Sequence, residues 1–151
     1  MVEQVAEQID YAQLAGQSFR EGYNCAEAIV RTFRDGMKAD ISDEALRMAS
    51  GFGGGLGHAG CMCGALSGAV MVLGMLQGRV NKEQSRGPIY ASAQEFHGVF
   101  KDKFGATCCR VLNPHPFGSK EHLRNCIKIT AGTAEILASY IDDKMKATTG
   151  V

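Results

Sequence analysis

Cys25, Cys61, Cys63, Cys108, Cys109 and Cys126 are the residues of this chain best suited to chemistry. A cysteine thiolate ligates soft metals and attacks disulfides. Cys61-Met62-Cys63 and the adjacent Cys108-Cys109 can each serve as metal ligands or as a redox pair. Vicinal cysteines close only into a strained ring, so a disulfide between Cys108 and Cys109 would be reducible and hardly structural. Cys25 with Cys63, or Cys61 with Cys108, are further candidate partners. No Cys-x-x-Cys knuckle is present, which disfavours a zinc ribbon or a bacterial ferredoxin, and the lack of Cys-x-x-Cys-His disfavours covalent haem. Taken singly, each cysteine is better read as a small core hydrophobe; the metal or redox reading rests on several acting together.

His58 lies close to Cys61 and Cys63 and could be an extra ligand or stabilise a thiolate, although an exposed loop histidine is the simpler reading. The same weighing applies to His115 and His122, near Cys109 and Cys126. His97 adjoins an apolar helix face and reads as structural. Arg110 and Arg124 could add positive charge, but solvated surface arginines are commoner.

Composition narrows the function. In 151 residues, 16 basic side chains balance 16 acidic ones, so there is no basic field to attract nucleic acid. A single domain of this length, residues 1–151, buries enough surface to fold without disulfide staples. Glu3, Glu7, Asp10 and Glu21 interrupt the N-terminal apolar positions, unlike a secretory signal, which points to a cytoplasmic protein. In a reducing compartment, cysteines more often serve metal or redox chemistry than bracing. Gly51 to Gly78 contains no charged residue, but its glycine-rich first half leaves only about Cys61 to Leu76 truly apolar. A buried central helix fits that length better than a membrane span.

The elements that must position the cysteines are helical. Val2, Val5, Ile9 and Ala12 recur at helical intervals and predict a first helix to about Ser18. Asn24 caps a second, with Glu27 in capping-box position, ending before Gly36. Ser42 caps a short third helix, which leads into a glycine loop. The fourth, about Met62 to Leu76, is apolar all round, with Gly60, Gly64 and Gly68 on one face inviting close backbone approach. Gly87-Pro88 opens a fifth helix carrying Phe96, Phe100 and Phe104, stopped by Gly105. Ala106 to Leu112 predicts one or two turns, and Ser119 opens a long last helix with Leu123, Cys126 or Ile127, Thr130, Ala134, Leu137 and Ile141 inward. The predicted fold is all-α, a single-domain bundle of about five to six helices around a glycine-containing central one. Met48, Met62, Met71 and Met75 read as core packing. Cys25 and Cys63 lie at helix N-termini, where the dipole and unpaired amides favour a thiolate. The glycine loop lacks both a preceding strand and a terminal Gly-Lys-Ser/Thr, so no nucleotide is expected; its amides are better placed to donate to sulfur.

Tyr23-Asn24-Cys25-Ala26, the run Ser50-Gly51-Phe52-Gly53-Gly54-Gly55 leading to Cys63-Gly64-Ala65-Leu66-Ser67-Gly68, then Cys109-Arg110-Val111-Leu112 and Cys126 resemble the C_GCAxxG_C_C family, whose name records a suspicion of redox activity. The resemblance spans essentially the whole chain and is most specific in the glycine run followed by Cys-Gly-Ala-x-x-Gly. The family label spells Gly-Cys-Ala where this chain reads Cys-Gly-Ala. Its shared cysteines map onto Cys25, Cys63, Cys109 and Cys126, leaving Cys61 and Cys108 as additions. The family is similar to the non-haem part of split-Soret cytochromes, which implies a helical fold, a homodimer and an iron–sulfur site; this chain lacks their haem motif. The leading expectation is therefore electron transfer through an iron–sulfur cluster or other thiophilic metal on those shared cysteines, with a redox partner protein that the sequence does not identify. A metal-free thiol–disulfide protein and a non-redox helical scaffold are the alternatives.

Overall fold

The computed structural model describes residues 8–149, with side chains through Lys144. Helices are the only regular elements among these residues, as the apolar spacing predicts. Helix α1 spans Tyr11–Arg20, α2 Cys25–Gly36, α3 Asp43–Arg47, α4 Gly64–Gln77, α5 Gly87–Phe104, α6 Cys109–Leu112 and α7 Lys120–Thr149. No described helix is long and apolar enough to cross a membrane.

Local chemistry sets most boundaries. Helix α1 starts at Tyr11 because the Asp10 carboxylate accepts the Gln13 amide at 3.1 Å, so Ile9, expected within the first helix, lies before it. Val2 and Val5 lie outside the described residues. The reciprocal capping box of α2 is formed: the Asn24 side chain accepts from Glu27 N, and Glu27 accepts from Asn24 N, both at 2.9 Å. Ser42 caps α3 through Ala45 N at 3.3 Å. Helix α5 stops at Gly105, whose φ of 89° is open to glycine without strain.

Helix α4 is enclosed by α2, α5 and α7, which explains why apolar residues surround its axis. Leu66, Val72 and Leu73 on α4 pack with Ile29 and Phe33 of α2 and with Phe96 and Phe100 of α5 in one core. Gly64 and Gly68 permit the approach of α2: a Cβ on Gly68 would lie 2.9 Å from the Ala26 carbonyl oxygen. Gly60 is outside α4, at φ 99°, and so does not extend that strip. Met62, Met71 and Met75 pack against the core as expected, whereas Met48 is exposed. The inward face of α7 is turned relative to the predicted stripe. His122, Ile129, Thr133 and Tyr140 are buried along with Thr130, Ala134 and Leu137, while Leu123 is exposed.

Two glycines of α4 should respond oppositely to one methyl group. Gly68→Ala must push α2 away and is expected to destabilise by about 1–3 kcal/mol in urea unfolding. Gly74→Ala meets nothing within 4 Å and should stabilise by up to about 1 kcal/mol through helix propensity. Equal effects from both would show that α2 and α4 are not in close contact.

Candidate functional site

The N-terminus of α2 is where the glycine segment folds back. Asn24 Nδ2 donates to the Ser50 carbonyl at 3.0 Å, and Ser50 Oγ donates to Glu27 Oε2 at 2.9 Å. After a 3-10 turn at Ser50–Phe52, residues Gly54, Gly55, Leu56, Gly57 and His58 all take positive φ, between 59° and 71°. Glycine is required at Gly55 on two counts, since a Cβ there would also lie 2.6 Å from Cys61 N and 3.0 Å from Cys109 Cβ. The expected loop is thus a tight, left-handed turn.

This turn forms one wall of a cleft of about 480 Å3 that Cys25, Cys63, Cys109 and Cys126 all line. Cys25 is the first residue of α2, Cys63 precedes α4, Cys109 opens α6 and Cys126 sits on α7. The first three are buried and Cys126 is half-buried, and none of the four is bridged. Cys61 and Cys108 are instead joined by a disulfide, one of the pairings open from the sequence. His58 is exposed and lines the same cleft, with its ring 3.9 Å from that of Phe117. His115, Arg110 and Arg124 are exposed, and so is His97, against the expectation of a structural histidine there.

Helix termini do not make these thiols acidic. Burial raises the Cys25 thiol above its ordinary value, and bonds from the amides of Gly54, Ala26, Cys25 and Gly64 oppose it without prevailing. Burial, reinforced by Cys25, pushes Cys63 up to about 12. Cys109 is raised by burial and then by Cys25. Cys126 reaches about 12 through burial and Cys25, with the Asn113 hydrogen bond acting the other way. In the metal-free chain, desolvation at Cys25 and Cys63 outweighs the helix-terminus amides that favour a thiolate.

Asn113 and His122 are the site residues that sequence reasoning missed or misplaced. The buried Asn113 donates through Nδ2 to the His122 carbonyl at 2.9 Å and to Cys126 Sγ at 3.1 Å. His122 is buried, not exposed, and its Nε2 lies 3.8 Å from Cys126 Sγ. Burial, and then His58 and His115, lowers its pKa. The i, i+4 spacing of His122 and Cys126 was a usable signal for this contact; nothing in the local sequence marks Asn113.

Among the described residues, no group of three or more His, Cys, Asp or Glu side chains is arranged to hold a single metal ion. The four unbridged cysteines line the cleft beside His58 and His122, and an all-sulfur set of this kind is the donor chemistry of iron–sulfur clusters.

The raised thiols give the metal-free chain a defined pH dependence. Native Cys63 and Cys126 keep their protons up to about 12, whereas unfolded thiols release them near 9.0. Their contribution is fully present below pH 9.0 and is lost as pH rises towards about 12. In urea unfolding across that window, the parent chain should lose stability more steeply than Cys63→Ala/Cys126→Ala; parallel curves would contradict the buried, protonated thiols.

A relative from Archaeoglobus fulgidus, described as "Uncharacterized protein", is 26% identical over 133 residues, covering 82% of this chain and 88% of its own length. No solved structure matches the chain. The family model described as "Putative redox-active protein (C_GCAxxG_C_C)" matches residues 23–140. That span runs from just before Cys25 to beyond Cys126 and so includes all four cysteines of the cleft, and the chain belongs to the C_GCAxxG_C_C family.

Proposed function

We propose that this is an electron-transfer protein whose cleft holds an iron–sulfur cluster on Cys25, Cys63, Cys109 and Cys126. The observation that carries the reading is the gathering of all four unbridged cysteines, from four different helices or helix starts, around one cleft. The electrostatics point the same way: the raised thiols repel one another as thiolates, and a cationic centre would offset both the repulsion and the desolvation. A cluster supplies one-electron chemistry when bound.

The chain's own groups then have separate tasks. The amides of Gly54 and Gly64 and the Asn113 side chain direct donors at sulfur, which favours the electron-rich state and raises a reduction potential. Phe117, between the rings of His58 and His122, helps screen the cleft from water. Ile9, Leu14 and Leu76 remain partly exposed, and we assign these apolar groups to a homodimer; light scattering should give twice the 16.2 kDa chain mass. A monomer at micromolar concentration would remove that part of the reading.

Anaerobic reconstitution with ferrous iron and sulfide, followed by iron and sulfide analysis, tests the cluster. The parent chain should become brown, and Cys25→Ala or Cys63→Ala should abolish the colour. Asn113→Ala should retain it, with affinity lowered by roughly 10-fold and a more negative potential. A colourless, iron-free parent chain would end the proposal.

A further inference from the structure

Cys61 and Cys108 are outside the four-cysteine set, and their surroundings differ from it. Both are half-buried, whereas Cys25, Cys63 and Cys109 are buried. The disulfide links two segments that the backbone already holds together. Cys63 N donates to the Thr107 carbonyl at 2.8 Å, and Arg110 N donates to the Gly60 carbonyl at 2.9 Å, so one bond lies on each side of the bridge. Cys61 N also donates to Gly55 O at 3.3 Å, and the carbonyl of Cys108 accepts from Val111 and Leu112 at 3.0 Å. Each cysteine is thus positioned by backbone hydrogen bonds as well as by the sulfur–sulfur bond.

A purely structural bridge is expected where it replaces missing contacts. Here it lies between backbone hydrogen bonds that involve no sulfur, and those bonds would hold the freed thiols in register to close again. We propose that Cys61 and Cys108 form a thiol–disulfide exchange site whose substrate is a dithiol in one direction and the corresponding disulfide in the other. One thiolate of the dithiol attacks a sulfur of the Cys61–Cys108 bond, forming a mixed disulfide and releasing the other cysteine, which takes up a proton. The second thiol of the dithiol then attacks the mixed disulfide. The dithiol leaves oxidised, both cysteines are reduced, and two electrons and two protons have moved. This activity goes beyond the cluster reading and does not rest on it.

The full-length protein, equilibrated in buffers of reduced and oxidised dithiothreitol, can be trapped with a maleimide and mapped by mass spectrometry while circular dichroism follows the helices. Cys61 and Cys108 should acquire label together, in a single two-electron transition, with full retention of helical signal. Three results would overturn the proposal: labelling only after denaturant unfolds the chain, loss of helical signal in step with labelling, or exchange confined to the cleft cysteines. Since the reduced parent chain is itself the readout, no variant has to fold. Iron analysis of samples first reconstituted anaerobically with ferrous iron and sulfide separates the two readings: an inert bridge in a cluster-loaded protein rejects only this inference, and a cycling bridge in a protein that stays iron-free rejects only the cluster.

Discussion

Helices α2 and α4 meet at a place where α4 carries no side chain, and the geometry of the cleft depends on that contact. A Cβ on Gly64 would strike the Cys25 sulfur and lie 2.7 Å from the Phe52 carbonyl oxygen; one on Gly68 would strike the backbone at Ala26. With both positions bare, the start of α4 can sit against the start of α2. Cys25 is thereby brought to the same space as Cys63, and the Gly64 amide reaches the Cys25 sulfur. Each helical glycine forgoes about 1 kcal/mol of propensity relative to alanine, a cost offset by the packing and site geometry gained.

The remaining walls are built outward from that contact. The Asn24–Glu27 capping box does more than start α2, because Asn24 and Glu27 also bind Ser50 and so hold the glycine turn over the helix terminus. The turn in turn leaves room at Gly55 for Cys61 and Cys109 to approach. Asn113 then ties the end of α6 to α7 at His122 and Cys126. Burial and mutual repulsion make the resulting group of thiols reluctant to ionise. A reactive cysteine nucleophile requires the opposite environment, whereas a bound cation supplies the missing charge.

Features written in consecutive residues were legible in the sequence: the Asn24 and Ser42 caps, the Gly105 stop, the apolar circumference of α4 and the family pattern through Cys25, Cys63, Cys109 and Cys126. Features set by docking were not. The apolar spacing of α7 puts Leu123 inside, but Asn113, just past α6, bonds the His122 carbonyl on the face that is buried, and Leu123 is exposed. The thiolate character expected from helix termini considered only the local dipole, and burial by neighbouring helices outweighs it. Pairing of Cys61 with Cys108 could be proposed but not selected, because residues 47 apart in sequence reveal their proximity only when the glycine turn meets α6.

X-ray absorption at the iron edge of the reconstituted protein reads whether the cleft arranges its thiols around a polynuclear centre. Iron is expected to be surrounded by sulfur alone, with a second iron as the next neighbour. Iron bound chiefly through nitrogen or oxygen, or isolated iron with no iron neighbour, would contradict it.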